Sequence, residues 1–453
     1  MTHNQIQSAR HDQLLKCRDV FIQESFMKLA ARVSIQGLSF SLSALTLVLS
    51  PPLQASGFQL VEQSASGQGL SYAGAAAERQ DVSSMWFNPA VLSNLASNQI
   101  ALAGHVIAPT ARFSDQGSTF AGSADEGSGG DDGATVGFVP NLYWAQRFGN
   151  HTLGLGINVP FGQHISYDED WVGRYHATET DLKTVNLNPA WSTAINDQWQ
   201  VGLGLNAQYV DVVLEQKINQ SALGAEDGNA KVTGDSWALG WNAGIMFQPL
   251  DRLNMGLAYR SQVQHDVQGK VDYQGIDSAV SGSLYDMDAS SSVTMPASAS
   301  LAVDYHLAEK WQLLASTTWT QWSAYDELVM KYENGNVTNA NQNFKDSWRY
   351  SLGAVYHASD ALRLRTGLAY DNTPVPDKTH RSPRNPDVDR RWFSVGLGYD
   401  LAQNWTLDLG YSHLWADKAK VNYAQTNSLG TNTLKGKYDS TVNIFSAQMV
   451  WRY

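Results

Sequence analysis

Three arginines and one lysine carry the charge best placed to do work in this chain. Arg260, Arg363 and Arg365 fall on the inward side of strands when residues are counted by twos, and Lys331 stands near a strand end. Inward arginines of this kind either solvate a lumen or pair with carboxylates, of which Glu62, Glu78 and Asp81 are candidates. A second feature is Asn158-Val159-Pro160-Phe161-Gly162. Proline cannot donate to a β-ladder, so Pro160 either ends its strand or kinks it; Pro140 and Pro189 fall in neighbouring strands. Catalytic chemistry finds no support. Eleven histidines, among them His105, His164, His265 and His413, are scattered without a motif, whereas a hydrolase needs a Ser beside a His oriented by Asn or Asp. No metal-ligand cluster, phosphate loop or nucleotide fingerprint occurs. The GLGLN and GLGIN strings are strand glycines that open no helix. No catalytic residue, metal or other cofactor is expected.

The elements that must position these residues are β-strands. From residue 98 onward the apolar period is two: Val395, Leu397 and Tyr399 alternate with Gly396, Gly398 and Asp400, and Trp405, Leu407, Leu409 and Tyr411 alternate with Thr406, Asp408, Gly410 and Ser412. Fourteen strands are read, near 100–113, 134–148, 151–166, 182–195, 199–216, 231–248, 252–272, 291–306, 311–332, 345–357, 361–371, 391–401, 404–420 and 437–453. Six links are tight, seven are long and polar, and the two kinds alternate. A sandwich has no reason to show that asymmetry, whereas an all-β, 14-stranded antiparallel transmembrane β-barrel does. Pairs such as Tyr143 and Trp144, Trp199 and Tyr209, Trp311 and Trp319, and Trp405 and Tyr411 sit where interfacial girdles would lie. The last strand sends Phe445, Ala447, Met449, Trp451 and Tyr453 outward and ends on an aromatic residue, the kind of terminus that barrel-assembly machinery recognises.

Composition agrees. The 453 residues include 15 Trp, 19 Tyr and 37 Gly with only 16% charged residues, and the mean hydropathy is −0.31. No apolar run is long enough for a transmembrane helix. The longest, Leu38 to Ser50, follows Met27, Lys28 and Arg32 and precedes Leu53-Gln54-Ala55, which is the order of a signal peptide cleaved after Ala55. Residues 1–55 are therefore expected to be a leader that is removed, the start being possible at Met27. Its loss takes away Cys17, the only cysteine, and leaves 26 basic against 40 acidic residues. So acidic a chain argues against nucleic acid as a partner.

Residues 56–97 break the pattern. They are rich in Gly, Ala and Ser and too short to build a core alone. Within them, Phe87-Asn88-Pro89-Ala90 places Asn88 as a cap and Pro89 at a first helical position; read alone, this is a helix-start turn.

With these motifs placed, the chain resembles the FadL family of outer-membrane transporters for long-chain fatty acids and other hydrophobic compounds. The resemblance rests on SGFQLVEQSASGQGLSYAGAAA (56–77), FNPA (87–90), NVPFG (158–162), WALGWNAGI (237–245), and LRTGLAYDNTPVP followed by DVDRRWFSVGLGY. It implies a short N-terminal hatch over 56–97 inside a barrel over 98–453, with Phe58, Phe87, Asn88, Pro89 and Ala90 in the hatch or its gating. It implies that ligand leaves sideways at a kink in the third strand, carried here by Asn158, Pro160, Phe161 and Gly162. A fatty-acid ligand brings a carboxylate, which makes Arg260, Arg363, Arg365 and Lys331 candidates to bind it. Fatty-acid members of the family carry basic groups on the fifth strand just after the position of Tyr209; here VDVVLEQ puts Asp211 and Glu215 there. Fatty acids and neutral hydrocarbons both stay open as ligands. The expected setting is the outer membrane of a Gram-negative bacterium, as a monomer amid membrane lipids and lipopolysaccharide, whose phosphates Arg381, Arg384 and Arg390 of the loop 372–390 either contact or leave to solvent. The rival readings are a general or substrate-selective diffusion porin and an outer-membrane lipid-acting enzyme.

Overall fold

The computed structural model describes residues 57–427 and 430–453; the leader expected over 1–55 lies outside them. Fourteen antiparallel strands close into one cylinder. They are β1 (Gln99–Asp115), β2 (Gly137–Phe148), β3 (His151–Asn158 and Gly162–Ser166), β4 (Glu179–Ala194), β5 (Trp199–Ile218), β6 (Gly228–Leu250) and β7 (Leu253–Arg260 and Val263–Gln274). The series continues with β8 (Met287–Met295 and Ser298–Ala308), β9 (Trp311–Thr320 and Glu327–Tyr332), β10 (Ser347–His357), β11 (Leu362–Asp371), β12 (Arg390–Ala402), β13 (Trp405–Ala416 and Ala419–Asn427) and β14 (Gly430–Arg452). Closure comes from β1 pairing with β14 without a break, from Gln99 opposite Arg452 to Asp115 opposite Gly436. Such closure satisfies the backbone polar groups internally, which the hydrocarbon layer demands.

Alternation sets the faces as expected. Leu102, Leu205, Leu239, Leu352 and Leu368 are all more than half exposed on the outside, while Asn206, Gln208, Asp408, Ser412 and Gln448 are buried inside. Aromatic pairs mark the two rims, Trp199 stacked on Phe247 at 4.1 Å and Trp405 on Trp451 at 5.8 Å near the short-turn end, and Tyr209 beside Trp237 at 5.3 Å toward the long-loop end. Tyr143 departs from its expected place in a girdle. It points inward and is fully buried, its hydroxyl donating to Gln63 O at 2.8 Å, and only Trp144 faces out. Parity alone separates these two neighbours.

Residues 57–97 contain one helical turn, α1 (Ala65–Gln68), and two 3₁₀ turns, Val82–Trp86 and Pro89–Asn94. Wall glycines let this segment approach the backbone. At Gly256 a Cβ would collide with Ala76 O, and at Gly367 with Leu70 O. Its other contacts reach Gly154 of β3, Gly202 of β5, Gly244 of β6 and Gly396 of β12, all around the cylinder.

Candidate functional site

Asn88 ties the N-terminal segment to the wall. Fully buried, it caps the second 3₁₀ turn by accepting from Ala90 N at 3.0 Å and donates through Nδ2 to Ala76 O at 2.7 Å and to Ile245 O of β6 at 3.1 Å. Pro89 follows at the first position of the turn, where its missing N–H costs nothing. Ala90 O accepts from Ser192 Oγ of β4 at 3.0 Å. Phe87 packs on Tyr72 with ring centroids 5.5 Å apart. Phe58 stands at the opposite end of the segment, edge-on to Trp322 at 4.8 Å and Phe161 at 6.0 Å. Together with Tyr325 and Phe344 these rings form an aromatic cluster in the long-loop half.

The third strand is interrupted at the expected residues. β4 advances three positions, from Asn186 to Lys183, while β3 advances four, from Asn158 to Gly162. One extra residue therefore bulges out, with Pro160 at its centre. Below the bulge β3 pairs with β2 from His151 to Ile157, opposite Phe148 to Leu142. Above it, Gly162–Ser166 pairs with β4, and β2 residues Gly137 to Asn141 pair with β1 alone. Pro140 lies in that unpaired stretch, where its lack of a donor is tolerated. Pairing to β3 resumes only at the bridge between Ala134 and Ile165. Residues 58–63 line the interruption instead. Leu60 N donates to Pro160 O at 2.8 Å, Gly162 N to Phe58 O at 3.0 Å, and Gln63 Nε2 to Val159 O at 3.0 Å.

An internal cavity of about 80 Å³ lies between the N-terminal segment and strands β6 to β11. Leu60, Val61, Tyr72, Trp86, Phe87 and Tyr259 supply much of its apolar lining, and Arg260, Arg349 and Asp371 its charge. Among the described residues, Arg260 has no carboxylate partner. Its guanidinium lies 3.7 Å over the Trp86 ring, donates to Trp86 O at 2.8 Å and bonds Asn206 Oδ1. Sequence reasoning missed Arg349. It donates to Ser351 Oγ and to Ser71 O, each at 2.9 Å, and so grips a turn in which Ser71 and Tyr72 hold positive φ of 49° and 57°. Both Asp371 carboxylate oxygens are buried without a hydrogen-bond partner. Inward parity at position 349 was readable, but its nearness to Ser71 was not.

The other expected cations lie elsewhere. Arg363 holds Asp400 bidentately at 2.8 Å, and Arg365 lies 2.7 Å from Asp408 and donates to Gln80 Oε1 at 2.5 Å. Both border a separate polar cavity of about 260 Å³ with Arg79, Asp81 and Asp304. Their partners are wall carboxylates rather than Glu62, Glu78 or Asp81. Lys331 is exposed near the loop end of β9 and lines neither cavity. Asp211 and Glu215 share a wall face with Trp237, which is 59% exposed, through the Tyr209–Trp237 and Glu215–Lys231 pairings. They stand outside the lumen, so they say nothing against an anionic ligand within it.

The loop 372–389 folds over the mouth. Arg381, Arg384 and Arg390, which the sequence left either to contact lipopolysaccharide phosphates or to be solvated, are instead engaged within the protein. Arg381 and Arg390 are buried, and Arg384 donates to Glu179 O, Thr180 Oγ1, Glu215 O and Gln216 Oε1, pinning the loop to β4 and β5. Asp387 takes the Gly57 N–H at 3.0 Å and the Thr373 hydroxyl at 2.7 Å, and pairs with Arg390. The neighbouring loop buries His176 against Tyr423, its Nδ1 3.1 Å from Gln425 Oε1. Burial pulls this imidazole down to about 4, with the Arg384 charge adding to the effect and the Gln425 hydrogen bond opposing it.

Residues 46–453 match the family described as outer membrane protein transport protein (OMPP1/FadL/TodX). The chain is 30% identical over 421 residues to the long-chain fatty acid transport protein of Escherichia coli O6:H1, covering 84% of this chain and 92% of that protein. It is 30% identical over 419 residues to outer membrane protein P1 of Haemophilus influenzae, covering 83% and 89%. The crystal structure of a Pseudomonas aeruginosa FadL homologue superposes with a TM-score of 0.83 at 24% identity, over 88% of this chain and 100% of that one. The Pseudomonas putida toluene transporter TodX gives 0.65 at 17% identity, over 85% and 98%.

Proposed function

Because this chain belongs to the OMPP1/FadL/TodX family of outer-membrane transport proteins, we propose that residues 56–97 act as a hatch and that hydrophobic ligands leave its barrel sideways, between β2 and β3. The protein is a transporter of the outer membrane rather than an enzyme. One observation carries the lateral route: over Gly137–Asn141 β2 keeps its ladder to β1 but has none to β3, and residues 58–63 bond to β3 there instead. A hydrogen-bonded wall is impassable to an alkyl chain, whereas a panel held by a few bonds can move. The ligand chemistry is that of a long apolar body with an anionic head. Burying each methylene contributes about 0.8 kcal/mol, and Arg260 and Arg349, both held by neutral acceptors, offer the head a charge-assisted hydrogen bond. Relatives named for fatty acids fit this reading, and one named for toluene makes a neutral aromatic compound the second choice.

The bulge arithmetic gives the test. Deleting Pro160 removes the one residue that β3 has in excess of β4, so that β3 runs straight along β4 without the bulge; Pro160→Ala keeps the extra residue and hence the interruption. Uptake of labelled oleate by cells making each variant should fall to the vector level in the deletion and persist in the alanine variant. Undiminished uptake through a correctly assembled deletion variant would rule the lateral route out. A diffusion porin would instead show steady ion conductance in planar bilayers.

A further inference from the structure

We infer that His164, Glu179 and Asp181 form a divalent metal site on the outer wall, at the loop end of the interrupted third strand. The inference does not depend on the transport route. His164 is distant in sequence from Glu179 and Asp181, and the sequence offered no metal signature, but strand pairing brings the three together. His164 sits opposite Asp181 in the β3–β4 ladder, and Glu179 is two residues along on the same face. One ligand-capable atom from each lies within 4.8 Å of the others, the only such group of three among the described residues. His164 Nε2 is 3.6 Å from Glu179 Oε1.

Two further observations separate this group from an ordinary surface cluster. Asp181 is 8% exposed, and its Oδ1 is buried without a hydrogen-bond partner. His164 Nδ1 is likewise buried and unpartnered. Leaving buried polar atoms unsatisfied is destabilising, and a bound cation removes that cost. The other Asp181 oxygen, Oδ2, is engaged by Lys183 Nζ at 2.5 Å.

One imidazole nitrogen and two carboxylate oxygens make a borderline donor set that suits zinc, which takes three protein ligands and leaves a fourth position open. Tetrahedral zinc places its ligand atoms about 3.3 Å apart, so a small side-chain adjustment closes the triangle. The neighbouring side chains fix the face. Gln163 reaches inward to Arg384 O and Ile165 enters the inner core, so His164 points out. Lys183, next on this face, pairs with Asp211 one step beyond the Tyr209–Trp237 rim. The site therefore stands above the aromatic rim, where the open position meets solvent or lipopolysaccharide. A metal there would clamp Gly162–Ser166, which has lost β2 as a partner, to β4.

Equilibrium dialysis of untagged, chelator-stripped protein against Zn²⁺ tests this. The wild type should bind one saturable equivalent, and His164→Ala and Asp181→Asn should each weaken that binding at least tenfold, with heat-modifiable migration on gels verifying that the barrels are folded. Glu179→Gln provides a further loss variant at a more exposed position. Lys183→Met should bind as tightly as wild type or tighter, because it removes the ammonium that competes for Asp181; a purely structural cluster would gain nothing from that change. No saturable equivalent, or equal binding by wild type and the His164 and Asp181 variants, overturns the site, as does a tenfold loss in Lys183→Met.

Discussion

Replacing Asn88 by alanine should loosen the N-terminal segment while leaving the barrel intact. The substitution removes three hydrogen bonds: the cap to Ala90 N at 3.0 Å and the two donated bonds, to Ala76 O at 2.7 Å and Ile245 O at 3.1 Å. Each contributes about 1 kcal/mol net, and the buried carbonyls left without a donor push the sum upward. The expected loss is about 3 kcal/mol, which at 1.4 kcal/mol per factor of ten raises the local opening constant more than a hundredfold. Asn94→Ala supplies a control in the same segment. That side chain makes one long bond, to Gln200 Oε1 at 3.4 Å, and is half-buried, so its loss should stay below about 1 kcal/mol. Hydrogen exchange of the mature protein in detergent reads both. Amides of residues 76–95 should lose about a hundredfold protection in Asn88→Ala and less than tenfold in Asn94→Ala, with β1 and β14 unchanged. If protection over 76–95 stays at the wild-type level, or if the strands lose it equally, Asn88 is not the fastening that its geometry implies.

Other expectations follow from the same structure. Arg260→Met should weaken oleate binding about 10- to 100-fold, the worth of one charge-assisted hydrogen bond at 1.5–3 kcal/mol, and leave toluene binding unchanged; titration with both ligands checks it, and equal losses would count against a head-group role. Asp387→Ala should free the loop 372–389, since it severs the bonds to Gly57, Thr373 and Arg390, and limited trypsin digestion should then cut after Arg381 or Arg384 at least tenfold faster. His176 gives a pH dependence. Its folded value, about 4, lies below the ordinary 6.5, so the undocked loop binds the extra proton and docking is fully stable only above about pH 6.5. Docking should weaken steadily as pH falls from 6.5 to 4, seen as faster exchange over 167–178, and His176→Gln should flatten that profile.

Much of the barrel was legible because a two-residue period is a property of sequence alone. Strand limits read from alternation lie within a few residues of those found, except at the β13–β14 end, where pairing continues to Asn427 rather than 420 and β14 begins at Gly430 rather than near 437, a polar extension where alternation no longer carries an apolar signal. The break at Pro160 was legible because proline removes a donor. The break of β7 at Ser261 and Gln262 was not, since both residues can donate and nothing local marks them. Pairing was the hidden layer. Asp400 and Asp408 were read as inward, and so were Arg363 and Arg365, yet which acid meets which base follows from the register between β11, β12 and β13. His164 and Asp181 were hidden for the same reason, as were the roles of Arg384 and Asp387, which come from how one long loop folds back over the mouth.

The interruption in the wall is framed on every side. Below it Leu142 pairs with Ile157; above it Ala134 bridges Ile165 and Ser166 N donates to Gly133 O at 2.9 Å. It is a window with sill and lintel, not a seam running to the rim. Seven residues, 135–141, separate sill from lintel, a height of roughly 26 Å. The hoop of backbone bonds thus survives both over and under the opening, so the lateral route proposed above would not require the cylinder to unzip for a slender molecule, whereas anything too broad for the frame would first have to break the lintel.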